Sequence, residues 1–249
     1  MRYCFFLLLI LYGCHKVDDP LSPEELAKID SLTGSYIYPV ERSESKLFEM
    51  GWDRYYDTCV IPERILNHLT DPGLIESCLN YPPFFNLFYF DNYQDGFDRI
   101  VSESNVFDEL FERKDIASKL ISKYESSEVD SFIVSNCIQK GVYTLQYLEI
   151  ILSQYQILYK ISIPQKEELM REVIRKYEYR KTILKEELFP SVISTLILGR
   201  NLKTLNYGSF KTALSQNQNL ENFLVKGAYY DTTSVSKIIF YTRAYLKDK

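Results

Sequence analysis

Two charges stand alone in apolar surroundings, and they are the first residues of this chain that could carry chemistry. Glu149 is the only charge between residue 141 and Lys160, with Leu145 and Leu152 about one turn to either side. Arg200 follows Ile193, Leu196 and Ile197 on one face of a predicted helix. A lone buried carboxylate is costly, so the economical arrangement is a structural buried pair, Glu149 with Arg200 across packed helices. Glu149 as a catalytic acid in a closed pocket is the competing use. Asp91 to Gly96 imitates the opening of a calcium-binding loop, but its third position is Tyr93 and its twelfth is Ser102, where a bidentate glutamate belongs. A plain helix start is expected there instead. The chain has two histidines, His15 and His68, and no Gly-x-Ser-x-Gly nucleophile elbow. Paired carboxylates for glycoside hydrolysis leave no local motif, and none stands out. No catalytic residue, metal ligand or cofactor is assigned, and the chain is expected not to be an enzyme.

Aromatic chemistry is denser. Tyr81 to Tyr93 holds seven aromatics in thirteen residues, and its phenylalanines suit a core. The tyrosines Tyr81, Tyr89 and Tyr93 are expected to be the exposed set, able to stack on sugar rings or to fill a partner's groove.

The first nineteen residues address the chain to a membrane. Arg2 precedes an apolar run from Cys4 to Tyr12, far shorter than the about 20 residues a spanning helix needs. Leu11-Tyr12-Gly13-Cys14 resembles the bacterial lipobox, which implies a signal peptide over 1–13 and acylation of Cys14. Two or more acyl chains, such as palmitate, give a stable anchor. His15-Lys16-Val17-Asp18-Asp19 resembles the surface-export signal of Bacteroidetes lipoproteins, and residues 14–21 read equally as a solvated tether. The expected place is therefore the outer membrane, on its periplasmic or extracellular face.

A net charge of −5 without a Lys/Arg cluster argues against nucleic acid as a partner. Cys59, Cys78 and Cys137 each sit beside an aliphatic residue, as buried thiols do, and no disulfide is expected. The remaining chain, 22–249, is long and apolar enough for a single domain.

Its elements read as helices throughout. Ser22-Pro23-Glu24-Glu25 and Ser162-Ile163-Pro164-Gln165 are capping boxes, predicting helices to about Leu32 and Leu184. Residues 33–60 read as a loop with one helical turn near Ser45–Met50, and helices follow Pro62 and Asp71. Two or three amphipathic helices are predicted between Asn92 and Ser126, and one buried helix over 141–161. In the next helix, Glu167/Arg171 and Glu172/Lys176 are expected as solvent-side pairs. Helices from about Phe189, Phe210, Leu220 and Ser234 complete an all-α chain of about ten helices. The matching pentads at Ile121–Glu125 and Ile174–Glu178 raise the alternative of a short, solenoid-like repeat array.

Glu76 to Pro82, Gly96-Phe97-Asp98, Phe107 to Leu110, Arg113-Lys114-Asp115, Tyr147-Leu148-Glu149 and Leu198-Gly199-Arg200 together resemble a family of helical lipoproteins and secreted proteins from gut Bacteroidetes. The resemblance implies compartment and helical architecture, and supplies no activity. Asp30-Ser31-Leu32 and Asp231-Thr232-Thr233 resemble O-glycosylation acceptors of the same bacteria, which would modify Ser31 and Thr232. The function expected is a membrane-anchored, non-catalytic domain that binds a partner or scaffolds a complex. The alternatives are a surface glycan-binding module and a carboxylate-dependent, glycan-active enzyme.

Overall fold

A computed structural model describes residues 19–41, 43–127, 138–183, 189–228 and 232–248. The described residues form fifteen α-helices and one 3-10 helix, and no strand. In chain order the helices are α1 Pro23–Leu26, α2 Glu44–Met50, α3 Trp52–Thr58, α4 Glu63–His68, α5 Asp71–Asn80, the 3-10 helix Pro82–Tyr89, α6 Tyr93–Ser102, α7 Asn105–Glu112 and α8 Ile116–Ser126. Then come α9 Ile138–Leu152, α10 Tyr155–Leu158, α11 Ile163–Ile183, α12 Phe189–Thr204, α13 Gly208–Ser215, α14 Gln218–Lys226 and α15 Thr232–Lys247. Lengths from 4 to 21 residues make this an irregular all-α bundle. The two pentads lie on α8 and α11, where Lys176 donates to the Tyr124 carbonyl. They are partners across one contact.

Local chemistry sets the helix ends. Ser22 closes its capping box in both directions, with Glu25 Oε2 accepting from the Ser22 N–H at 2.7 Å. The helix it opens stops after one turn, well short of Leu32, because the Asp30 side chain draws the following residues into a tight turn. Gln165 likewise accepts from the Ser162 N–H at 2.9 Å and starts α11. Thr70 caps α5, Asn92 caps α6, and Gly227, in the left-handed region at φ 65°, closes α14.

Two further expectations need correction. Residues 52–58 are helical, where the sequence reads as loop. The single helix expected over 141–161 is broken at Ser153 and Gln154, whose side chains both donate back to the Ile150 carbonyl, at 2.7 and 2.8 Å. Those bonds compete with continuation of the helix, and Gln154 turns extended.

One contiguous apolar cluster runs from Tyr36 to Tyr245. At its centre α9 and α12 lie side by side, and residues 145–152 and 192–202 are buried on every side. Such all-round burial needs partners on all faces, and α8, α11, α14 and α15 provide them. Among the described residues no helix is long and apolar enough to cross a membrane.

Candidate functional site

Glu149 is fully buried in the last turn of α9, and its carboxylate is met by three helices at once. Tyr124 of α8 donates its hydroxyl at 2.9 Å, Arg180 of α11 donates at 2.7 and 3.3 Å, and Ser194 of α12 donates at 3.0 Å. The expected pairing with Arg200 is therefore wrong in its partner. Arg200 lies six residues beyond Ser194 on α12, about 9 Å along the axis. Arg180 reaches the same carboxylate from the neighbouring helix. Burial, and then the Glu149 carboxylate, push the Tyr124 phenol well above its ordinary range, so it acts as a neutral donor. Oε1 accepts from Tyr124, Arg180 and Ser194, and Oε2 from Arg180, so the carboxylate is held by protein donors on both oxygens.

Lys176 extends this network and corrects a second expectation. Its side chain is buried rather than on the solvent side: the ammonium donates to the Tyr124 carbonyl, reaches Glu172 at 3.2 Å and sits 4.6 Å above the Tyr124 ring. It thereby supplies a cation to the last turn of α8, where carbonyls lack partners.

Arg200 does comparable work 9 Å or so further along α12. It donates to the Leu224 and Val225 carbonyls at 2.8 and 3.1 Å, to the Ser153 carbonyl at 3.2 Å and to Gln94 Oε1 at 2.8 Å. Its guanidinium also stands 5.1 Å from the Tyr155 ring centre. One side chain thus closes the C-terminal ends of α9 and α14 against α6. Burial lowers its pKa to about 10, which still leaves it charged at neutral pH.

The aromatic segment sorts differently from expectation. Tyr81 and Tyr93 are fully buried: Tyr81 packs edge-on against Tyr38 and Phe107, and Tyr93 edge-on against Phe88. Tyr81 and Tyr93 flank the 3-10 helix, which lies directly on α6, where a Cβ at Gly96 would come within 2.7 Å of the Leu87 carbonyl. Of the three tyrosines only Tyr89 is exposed, at 49 %. It meets partners that sequence reasoning missed. Trp52, 42 % exposed, lies edge-to-face with Tyr89 at 6.4 Å and stacks on buried Tyr56 at 6.3 Å. Phe48, 76 % exposed, lies four residues before Trp52 on the preceding helix α2, beyond the break at Gly51. The Tyr89 hydroxyl donates to Glu44, and burial followed by that carboxylate raises the phenol to about 12. Lys46, Glu49, Asp53 and Arg54 are exposed around this aromatic corner. The only tryptophan, inside a stretch that reads as loop, was the signal that could have located it.

The other candidates have defined places. Asp91 to Gly96 opens α6: Asn92 accepts from the Asp95 N–H at 2.9 Å, Lys226 pairs with the Asp95 carboxylate, and Tyr93 points into the core. Among the described residues no group of histidine, cysteine, aspartate or glutamate side chains could hold a metal ion. His68 ends α4, with Nδ1 2.8 Å from the Arg64 carbonyl. Cys59 and Cys78 are buried free thiols. Ser31 and Thr232 are exposed, whereas Cys14, Cys137 and Asp231 lie outside the described residues.

The chain matches no protein-family model, no curated protein and no solved structure.

Proposed function

We propose that this chain is a lipoprotein of the outer membrane or cell surface, held by acyl chains on Cys14, whose helical domain binds a partner protein without catalysis. The observation that carries the binding role is the exposed aromatic corner of Trp52 and Tyr89, with exposed Phe48 on the adjoining helix α2. Large exposed rings inside a rim of mixed charge are the composition of a protein-recognition patch, and tryptophan and tyrosine are the residues on which binding energy concentrates. A sugar site needs free polar groups beside its stacking ring. Here the Tyr89 hydroxyl already donates its proton to Glu44, so the exposed ring offers a stacked sugar no donor of its own, which supports the protein over the glycan reading.

The experiment replaces Phe48 with the photoreactive residue p-benzoylphenylalanine in the full chain, expressed in its own cells, and does the same at Phe240 on the exposed face of α15. One discrete protein adduct at position 48, missing at position 240, is expected. Identical patterns at both positions would overturn the assignment, and an adduct of carbohydrate mass would replace it with the glycan reading.

A further inference from the structure

The arm that leads from the tether into the bundle is unusually constrained. Arg64 holds the Pro20 carbonyl at 2.7 Å, so the point where the tether meets the domain is fixed. Beyond α1 the chain folds back on itself, with Ile29 bridged to Tyr36 and the Ile37 N–H donating to the Lys28 carbonyl at 2.8 Å. At the tip, Asp30 Oδ1 accepts from the Leu32 and Thr33 N–H groups at 3.0 and 2.8 Å, and the Asp30 N–H reaches the Ser35 carbonyl at 2.8 Å. The arm is also fastened to α5: Ser77 Oγ accepts from the Tyr36 N–H at 2.8 Å, and a Cβ at Gly73 would come within 2.2 Å of the Gly34 carbonyl.

This fixed turn presents Leu32 to solvent, 95 % exposed, while Leu26 and Ile37 on the same arm are about half exposed. A single exposed leucine is ordinary on a protein surface. A leucine locked at the tip of a rigid turn is less so when a membrane anchor is close. Pro20 lies six residue steps beyond Cys14, which at full extension span no more than about 21 Å. The base of the arm therefore cannot leave the lipid surface by more than that distance once Cys14 is acylated.

We propose that Leu32, flanked by Leu26 and Ile37, is a second membrane contact that seats the domain on the bilayer beside its anchor; this rests on the acylation of Cys14 proposed above. The arm carries Asp19, Glu24, Glu25 and Asp30 against Lys28 alone, so the surface it suits is zwitterionic rather than anionic.

The test uses the full acylated chain, with Trp52→Phe so that an introduced tryptophan is the only one. Leu32→Trp, and separately Phe240→Trp as a control, are placed in vesicles of phosphatidylethanolamine and phosphatidylcholine bearing brominated acyl chains. Leu32→Trp emission should fall about twofold or more relative to unbrominated vesicles, with Phe240→Trp unchanged, because the apolar face of a surface-bound element sits about 5–10 Å into the interface. Unquenched Leu32→Trp on a chain whose mass shows acylation would overturn the membrane contact and leave the anchor standing. A chain without acyl mass overturns both. A hexose found on Ser31 of the natively produced chain would also overturn the contact, since it would hold the tip in water.

Discussion

The Arg180 guanidinium lies 2.7 Å from the Glu149 carboxylate, joining α11 to α9 with both side chains almost completely closed to solvent. Breaking such a pair from one side leaves an uncompensated buried charge. Glu149→Ala or Arg180→Ala should each cost about 3 to 5 kcal/mol in urea unfolding, against less than about 1 kcal/mol for the more exposed Glu172 neighbour Arg175→Ala. The double variant Glu149→Ala/Arg180→Ala should cost clearly less than the sum of the two single losses, because it no longer leaves one buried charge without its partner. Additive losses in the double variant would show that the pair is not the source of the effect.

Arg200 tests whether geometry or charge holds the other polar junction. Arg200→Lys keeps the charge but cannot span the Leu224, Val225, Ser153 and Gln94 acceptors, so orphaned buried carbonyls should cost more than about 2 kcal/mol. An unfolding midpoint equal to that of the natural chain would mean that the charge alone suffices.

Acid stability should depend on Asp71. Lys119, hydrogen-bonded to its carboxylate, and Arg113 at 3.1 Å hold the group below its ordinary value. A carboxyl whose folded pKa lies below its unfolded value contributes stability that is present above the unfolded pKa, about 3.9, and lost as pH falls through the folded value. Asp71→Asn should therefore lower the melting temperature at pH 7 and narrow the gap from the natural chain as pH drops below about 4. A gap independent of pH would assign the loss to something other than this ion pair.

The anchor makes its own prediction. Cys14→Ser should abolish acyl labelling and move the protein from the membrane to the soluble fraction, since each buried methylene of the lost chains contributes about 0.8 kcal/mol of attachment. Retention in the membrane fraction without acyl label would remove the lipoprotein reading.

Much of the fold was legible because helix ends carry local signals. Ser22 with Glu25, Ser162 with Gln165, and Asp71-Pro72 mark starts that the structure keeps. The polar junctions were not legible, for a geometric reason. A lone charge in an apolar run announces that it needs a partner, yet which helix supplies that partner depends on packing between elements. Glu149 takes Arg180, on a helix whose alternating charges look solvated, and Lys176 is buried on that same helix although its spacing from Glu172 matches a surface pair. Burial of tyrosines was hidden likewise: Tyr81 and Tyr93 flank a 3-10 helix that Gly96 lets sit against α6, and their burial depends on packing between elements that no composition count contains.

The binding role of the aromatic corner is tested most directly by Phe48→Arg in the full, acylated chain, with Phe240→Arg as its control. Both side chains are largely exposed, so neither change should move the melting temperature by more than about 2 °C. Recovery of the partner captured at position 48 should fall at least about tenfold for Phe48→Arg, the equivalent of about 1.4 kcal/mol, and stay at the natural level for Phe240→Arg. Equal recovery by all three chains would contradict the assignment of Phe48, Trp52 and Tyr89 as the docking surface.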